Sequence, residues 1–361
     1  DLRDSIPFNS KVSLGLLLPF NTNKIEFDSI EKTKTLLKKR NLHTLALDFY
    51  SGVVMAVKEA GQLGIEVVLD VLDTQNDKVY LQTEFRKRDW SKTDVLIGPL
   101  IPSNFDILSL QDSLSLIPMV APLSSNPVVS RPNVYQSVTS PELLREKMFT
   151  YLSTVLDSTQ NVLLITDTLN REVEKQLQNR FPFAQILRPE AGGYVVPDLI
   201  DSLLVDTLSN KVVFESQNLG LIASVTSLLN SQVSKERDVQ LFTTFRSNAY
   251  DDSNISKKQL GNLKFTYTAG AYSDDSNRSE QFDSLYVSSF GDLPKREALR
   301  GYDVTMDVIL RLAHQKQLSS DDIGETEYIE SRFDYVPNLN TGYQNRAFYL
   351  LEHSGYEVFE I

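Results

Sequence analysis

Two short stretches decide the fold: "DVLIGPLIPSN" (94–104) and "IPMVAPLSSNP" (117–127). Each contains a continuous apolar run, Val95–Ile97 in the first and Met119–Ala121 in the second, which then breaks into proline and small hydroxyl or amide side chains. A strand of a parallel sheet that is covered on both faces reads as such a run. The pattern predicts two neighbouring core strands with polar residues at their ends.

Around these stretches, runs of strand length alternate with segments of helical periodicity. Short links between them favour parallel sheets that are covered by helices on both faces. A second series of the same kind begins at residue 140, and alternating aromatic and turn residues predict a terminal β-hairpin within 333–361. The strands are predicted at 11–20, 65–73, 95–97, 119–121, 161–167, 211–216, 239–245 and 263–272.

Length and composition exclude several classes of protein. A chain of 361 residues is too long for one ordinary core and predicts two lobes, or three, of about 100 to 200 residues each. The net charge of -12 argues against a nucleic-acid partner, because binding to phosphates needs clustered Lys and Arg. The absence of cysteine excludes a disulfide framework, a thiolate metal site and a cysteine nucleophile.

The hydropathy pattern predicts a chain that does not cross a membrane. No apolar stretch approaches the roughly 20 residues that span a bilayer. The first ten residues, "DLRDSIPFNS", show neither the basic region nor the apolar region of an export signal. We expect that any such signal has been removed or was never present.

The order of these motifs resembles the type I periplasmic binding proteins of the branched-chain amino-acid receptor class. Among these it is similar to the binding-protein-like modules that follow peptidoglycan-binding LysM repeats in some Gram-negative envelope proteins. The stretches that carry the resemblance cover most of the chain: "VSLGLLLPF", "LDFYSGVVMAVKEAGQLGIEVVLDVLDTQ", "DVLIGPLIPSN", "IPMVAPLSSNP", "NVLLITD", "KVVFES" and "ALRGYDVTMDVIL".

The resemblance implies an α/β fold of two Rossmann-like lobes with parallel sheets, joined by a hinge of three crossings. Lobe one would comprise 1–138, completed by 273–330, and lobe two would comprise 139–272, completed by 331–361. It also implies a protein of the periplasm or cell envelope of a Gram-negative bacterium, with a membrane anchor in the full-length protein as one option.

In an open α/β sheet, ligands bind beyond the carboxyl ends of the strands, which would face the cleft of this fold. For the serines the alternative is a turn or helix cap, and for the residues after strand one it is a flexible loop. The candidate ligand-binding residues are Phe20, Asn21, Gly98, Ser103, Asn104, Ser124 and Ser125 in lobe one, and Asp167, Thr168, Ser216, Gln217, Arg246 and Tyr272 in lobe two.

Arg246 departs from the pattern of the amino-acid receptors. Those receptors place an acidic group of lobe two against the ammonium group of the ligand, whereas this chain has an arginine after "VQLFTTF". A buried arginine prefers a carboxylate or phosphate partner, which favours an anionic ligand. The alternative is a surface arginine that pairs with Asp251 or Asp252.

The segment 21–45 between strand one and its helix is long for a loop of this kind. It carries a basic run on an otherwise acidic protein, which is either a solvated face or a contact for a partner or glycan. The basic residues are Lys32, Lys34, Lys38, Lys39 and Arg40.

Catalytic and metal motifs are absent from the sequence. His43, His314 and His353 stand in unrelated contexts, and no HExxH, G-x-S-x-G, P-loop or dinucleotide-binding motif occurs. Residues 73–77 are similar to a calcium loop but lack its glycine and its terminal glutamate. The carboxylate pairs at 251–252, 274–275 and 321–322 lie in polar stretches typical of solvated turns. We expect no catalytic residue, no metal and no cofactor.

Two functional hypotheses follow. The first is a non-catalytic envelope module that closes on a small ligand between its lobes and is recognised by a transporter or a sensor partner. Its ligand would be anionic or would resemble an amino acid or peptide. The second is an interaction protein that kept the fold and lost the ligand, with peptidoglycan or an envelope protein of cell-wall assembly as its partner. An enzyme is a distant third, because no nucleophile–base pair is visible.

Overall fold

The apolar runs of the sequence are strands in the computed structural model, which describes residues 2–7, 9–126, 128–129, 131–272, 277–319, 323–338 and 342–361. All the residues of Val95–Ile97 and Met119–Ala121 are buried, as strands covered on both faces require. The strands are β1 (Lys11–Leu18), β2 (Glu66–Asp73), β3 (Val95–Ile97), β4 (Met119–Ala121), β5 (Val134–Gln136), β6 (Asn161–Thr166), β7 (Gln185–Leu187), β8 (Asn210–Glu215), β9 (Val239–Phe242), β10 (Thr266–Ala269), β11 (Thr326–Glu327), β12 (Arg332–Phe333), β13 (Tyr335–Pro337), β14 (Tyr343–Asn345), β15 (Tyr349–Ser354) and β16 (Glu357–Glu360).

Helices fill the segments of helical periodicity. They are α1 (Ile30–Lys38), α2 (Leu42–Gln62), α3 (Lys78–Arg86), α4 (Pro102–Ser109), α5 (Pro141–Val155), α6 (Arg171–Arg180), α7 (Pro197–Leu203), α8 (Leu219–Gln232), α9 (Lys257–Asn262), α10 (Asn277–Phe290) and α11 (Arg296–Gln315). Helix α1 lies in the segment that the sequence suggested was one long polar loop. In the part of the chain that the structure describes, no helix is long and apolar enough to span a bilayer.

The chain folds into two compact units and passes between them three times. The first unit comprises 1–140 and 270–347, and the second comprises 141–269 and 348–361. The segment 331–347 therefore lies in the first unit and not in lobe two as predicted. The physical reason is strand pairing: β14 adds to β5 in parallel, and β13 pairs antiparallel with β14.

The first unit contains a seven-stranded sheet in the order β13-β14-β5-β4-β3-β1-β2. Helices α2 and α11 pack closely against each other beside this sheet. Glycine makes the approach possible, because a Cβ on Gly52 would lie 1.9 Å from the carbonyl oxygen of Ala298. Likewise, a Cβ on Gly301 would lie 2.2 Å from the carbonyl oxygen of Phe49.

The second unit repeats this plan with a seven-stranded sheet in the order β16-β15-β10-β9-β8-β6-β7. Strands β6 to β10 are parallel, while β15 and β16 form an antiparallel hairpin at the edge. The single terminal hairpin expected from the sequence is thus two hairpins, β13–β14 in the first unit and β15–β16 in the second. The carboxylate pairs at 274–275 and 321–322 lie outside the described residues.

Candidate functional site

Each sheet has one position where the strand order reverses. In the first unit this switch point lies between β1 and β3, and in the second it lies between β6 and β8. Open α/β sheets bind ligands beyond the carboxyl ends of their strands at such points. The strand ends at these two switch points are therefore the candidate sites of the two units.

At the switch point of the second unit, the structure brings Asp167 and Ser216 together. The Ser216 hydroxyl donates to Oδ2 of Asp167 at 2.6 Å and accepts the backbone N–H of Asn218 at 3.0 Å. Oδ1 of Asp167 accepts the backbone N–H of Leu169 at 2.9 Å. Asp167 follows β6 and Ser216 follows β8, so this hydrogen bond spans the switch point. The neighbouring Thr168 and Gln217 are exposed.

Arg246 has a carboxylate partner inside its own unit. Its guanidinium pairs with Asp251, with Nη1 at 3.2 Å from Oδ2, and lies over the ring of Tyr267 at 5.0 Å. This is the alternative that the sequence left open, a partly exposed arginine paired with a neighbouring aspartate. The charge of Arg246 is balanced locally, so it no longer argues for an anionic ligand.

Two residues that the sequence did not suggest lie beside these groups. Glu215, the last residue of β8, is 2% exposed, and its carboxylate accepts the backbone N–H of Thr244. Burial raises the pKa of Glu215 to about 7. Arg145 of α5 donates from Nε to Oγ1 of Thr244 at 3.2 Å and lies over the ring of Phe245 at 5.7 Å.

The sequence carried a signal for one of these two residues. A glutamate at the end of the apolar run "KVVFES" is unusual, because carboxylates are rarely fully buried without a partner. Arg145 carried none, since it lies about 100 positions before the strand end that it contacts, and only the tertiary fold brings them together.

In the first unit, Asn21 has a structural role after β1. Its backbone is left-handed at φ 51°, its N–H donates to Oδ1 of Asp73 at 3.0 Å, and its side chain is buried. Asp73 also accepts the backbone N–H of Thr22 at 2.9 Å. The oxygens of Asp73 are therefore used to hold the loop after β1. No group of three or more His, Cys, Asp or Glu residues that could hold a metal occurs among the described residues.

Ser124 forms a turn, as one of the two predictions for it proposed. Its hydroxyl accepts the backbone N–H of Asn126 at 3.1 Å. Gln136 of β5 fastens the same loop, because its Nε2 donates to the carbonyl oxygens of Ser124 and Asn126, and its Oε1 accepts the N–H of Val128 at 3.3 Å. Ser125 is half-buried.

Gly98 and Asn104 pack against the protein itself. Gly98 has φ +91°, and a Cβ there would lie 2.5 Å from the carbonyl oxygen of Leu17. Asn104 is buried in α4 and donates to Oδ1 of Asn76 at 3.2 Å. Both positions support the packing around β1 and β3.

The remaining candidates have mixed environments. Ser103 is exposed, while the ring of Phe20 packs edge-on against Tyr50 with the ring centroids 5.6 Å apart. Tyr272, expected in lobe two, lies in the first unit, where its N–H donates to the carbonyl oxygen of Glu330 at 2.8 Å. The reason is that β10 ends at Ala269, and the chain enters the first unit directly afterwards.

No protein-family model matches the sequence, and a comparison with curated proteins finds no match. Solved structures, in contrast, match over nearly the whole chain. A candidate branched-chain amino acid ABC transporter protein from Rhodospirillum rubrum is 13% identical, with 97% of this chain and 100% of that chain covered and a TM-score of 0.64. The chain has the type I periplasmic-binding-protein fold. This confirms the predicted fold class.

Proteins of two kinds share the fold. One is an ABC transporter substrate-binding protein from Desulfitobacterium hafniense in complex with Leu, 13% identical with a TM-score of 0.50, covering 98% of this chain and 100% of that chain. The other is LpoA from Haemophilus influenzae, which is 15% identical with a TM-score of 0.58. The match covers 99% of this chain and 60% of that LpoA. The C-domain of that LpoA, a regulator of PBP1A, has a TM-score of 0.57 at 15% identity and covers 97% of this chain and 99% of its own. At these identities the similarity establishes the fold alone, and the link to LysM proteins stays a prediction.

Within the second unit, the strand ends offer both charges. Asp167 follows β6, and Arg145 contacts Thr244 after β9, two strand spacings away across β8. Neighbouring strands lie about 4.8 Å apart, so the ends of β6 and β9 are separated by roughly 10 Å along this edge. The arrangement can bind a small polar molecule by ion pairs and hydrogen bonds.

Proposed function

We propose that the chain is a non-catalytic solute-binding module of the bacterial cell envelope that closes on a small ligand. The observation that carries the proposal is the charged switch point of the second unit, where Asp167 and Ser216 meet across β6 and β8. A location in the envelope of a Gram-negative bacterium, and recognition by a transporter or sensor, belong to the same proposal. Its support is the fold shared with ABC transporter binding proteins.

The ligand that fits these groups carries both charges, as an amino acid or a short peptide does. Asp167 forms no ion pair among the described residues. Its oxygens accept the Ser216 hydroxyl, the Leu169 N–H and the Asn170 amide, and an ionised carboxylate has about four acceptor positions, so one is left for an ammonium group. Arg145 likewise has no carboxylate within ion-pair distance in the described part of the chain, and a guanidinium binds carboxylates in a bidentate geometry. Arg145 therefore replaces Arg246 as the expected contact to a ligand carboxylate.

A thermal-shift screen followed by calorimetry tests this assignment. The purified chain is screened against amino acids, di- and tripeptides, sugars, nucleosides and peptidoglycan fragments. A ligand at 100 times its Kd stabilises the fold by about 2.7 kcal/mol, which a melting curve resolves. We expect a peptide or amino acid to bind, with the affinity reduced at least about tenfold in Arg145→Ala and Ser216→Ala.

The matched control is Arg86→Ala, which removes an exposed arginine from α3 in the other unit. Circular dichroism verifies that each variant is folded. Small-angle scattering with and without the ligand tests the closure. The proposal is contradicted if the folded wild-type chain binds nothing on the panel. It is also contradicted if a ligand binds both site variants with the same affinity as the wild type.

The second candidate is a ligand-free interaction protein of cell-wall assembly. The observation that favours it is that several predicted ligand contacts are already bound to other groups of the chain. Arg246 pairs with Asp251, and Gln136 is hydrogen-bonded to the Ser124 loop. The fold shared with LpoA supports it as well. Sedimentation with purified peptidoglycan sacculi tests one such partner: depletion of the chain from solution, without any hit on the ligand panel, would favour this candidate over the receptor.

A further inference from the structure

A separate cavity of about 350 Å³ opens among helices of the first unit, and none of the candidate ligand-binding residues lines it. Helices α2, α10 and α11 form its walls, together with Arg3 near the start of the chain and Ile329. Pockets that hold small organic molecules begin at about 300 Å³, so this cavity is large enough for one. The function proposed above does not use it.

The floor of this cavity is a hydrogen-bonded network of three side chains. The Tyr302 hydroxyl donates to Oε2 of Glu59 at 2.6 Å, and Nε of Arg3 donates to Oε1 of the same carboxylate at 3.0 Å. Burial, together with the Glu59 carboxylate, raises the pKa of Tyr302, so its phenol stays protonated. Glu59 is therefore neutralised by its neighbours, and no uncompensated negative charge remains on the floor.

The rim of the cavity is positive. Lys58 is exposed and makes no ion pair among the residues that the structure describes, while Nη1 of Arg278 donates to the carbonyl oxygen of Glu327 at 3.2 Å. The charged lining residues are the basic Arg3, Lys58 and Arg278 and the acidic Glu59. Three of these four are basic, on a chain whose net charge is -12.

The remaining wall is mainly apolar, with the amides of Gln62 and Gln281 beside it. Phe282 is 5% exposed and Leu285 is 56% exposed, and Met55 and Ile329 complete the surface. An apolar wall beside two exposed cations fits a molecule that carries a negative head on a hydrophobic body. We infer that this cavity binds a small amphipathic anion, such as a medium-chain carboxylate or an aromatic sulfonate.

A pair of fluorescent probes separates the anionic requirement from simple hydrophobicity. 8-Anilinonaphthalene-1-sulfonate carries the charge, and N-phenyl-1-naphthylamine has the same ring system without it. We expect the sulfonate to bind at one site per chain, to bind at least about tenfold more tightly than the neutral probe, and to be displaced by decanoate. Equal affinity for both probes would refute the inference.

Substitutions then locate the site. Lys58→Glu should weaken the sulfonate about tenfold, and Leu285→Asn should weaken it about threefold. The matched controls are Lys78→Glu, at an exposed lysine that begins α3, and Leu116→Asn, at a leucine that is 92% exposed. Circular dichroism checks that each variant folds. Equal effects of the site variants and their controls would place the probe elsewhere and overturn the inference.

Discussion

The first five strands of each unit's sheet have the same order, yet the polar groups at the strand ends of the two units differ in kind. In the first unit amides and hydroxyls hold the protein's own loops, as Gln136 holds the loop of Ser124, and the charged Asp73 and Arg300 are likewise bound to groups of that unit. In the second unit the groups are charged, with Asp167, Glu215 and Arg145 at neighbouring strand ends. The same arrangement of strands thus presents different polar groups in the two units.

This difference indicates which unit would determine the specificity for a charged ligand. Neutral amides and hydroxyls that are already hydrogen-bonded to backbone groups shape a surface but add little electrostatic selectivity. Charged groups without an ion-pair partner change the affinity for a ligand according to its charge. We therefore expect substitutions in the first unit to alter stability, and substitutions in the second to alter binding and the pH dependence of stability.

The largest effect is expected at Arg300 of α11, which holds the strand ends of the first unit. Its guanidinium donates to the carbonyl oxygen of Pro122 at 2.9 Å and to the hydroxyls of Ser137 and Ser331 at 2.8 and 2.9 Å. Arg300→Ala removes all three charge-assisted hydrogen bonds and should lower the free energy of unfolding by about 4 kcal/mol. Urea denaturation measures it.

The control for this variant is Arg296→Ala, at an exposed arginine of the same helix, which should change the free energy by less than about 0.5 kcal/mol. If Arg300→Ala were no more harmful than its control, the first unit would not depend on this residue for its strand ends.

Glu215 should make the stability of the second unit depend on pH. Its pKa is about 7 in the folded chain against 4.5 for an ordinary glutamate, so the folded state binds the proton more tightly. The resulting stabilisation is fully present below pH 4.5 and is lost as the pH rises through 7. Glu215→Gln cannot ionise, so it should exceed the wild type by roughly 3 kcal/mol at pH 8 and match it near pH 4.5.

Denaturation followed by circular dichroism at both pH values checks this dependence. Glu190→Gln, at an exposed carboxylate of the same unit, serves as the control and should show no such difference. A Glu215→Gln variant that tracks the wild type from pH 4.5 to 8 would show that Glu215 is already neutral or well solvated.

A smaller effect on stability is expected at Gln136 of the first unit. Gln136→Ala removes the side chain that holds Ser124, Asn126 and Val128, and should lower the free energy of unfolding by about 2 kcal/mol. Hydrogen exchange at the Val128 amide should accelerate, because its acceptor is lost. Gln217→Ala, at an exposed glutamine of the second unit, should do neither. Unchanged exchange at Val128 would show that the loop holds itself.

Most of the fold could be predicted from the sequence because its parallel strands are apolar runs with sharp ends. The predicted runs at 95–97 and 119–121 coincide with β3 and β4. The strands β5 and β7 were missed, since each has only three residues and mixed polarity. Their pairing with neighbouring strands, and not their own composition, makes them strands.

The candidate site was predicted less completely. Position in the fold identified Asp167 and Ser216, which do meet, but it could not show which polar groups bind one another. The partner of Gln136 lies 12 residues away and that of Arg145 lies 99 residues away, so no local pattern reports either contact. Hydrogen bonds of this kind arise only from tertiary packing.

The smallest effect is expected at the ion pair between Arg246 and Asp251. This test decides which arginine of the second unit contacts a ligand carboxylate. The two side chains are 20% and 60% exposed, so solvent screens their attraction. A double-mutant cycle of Arg246→Ala and Asp251→Ala should give a coupling below about 1 kcal/mol. Ligand affinity should remain within about twofold of the wild type in Arg246→Ala, because Asp251 already balances that charge, whereas Arg145→Ala should weaken it. If calorimetry showed a larger loss of affinity in Arg246→Ala than in Arg145→Ala, the ligand's carboxylate would bind Arg246. The ion pair between Arg246 and Asp251 would then exist only in the unliganded protein.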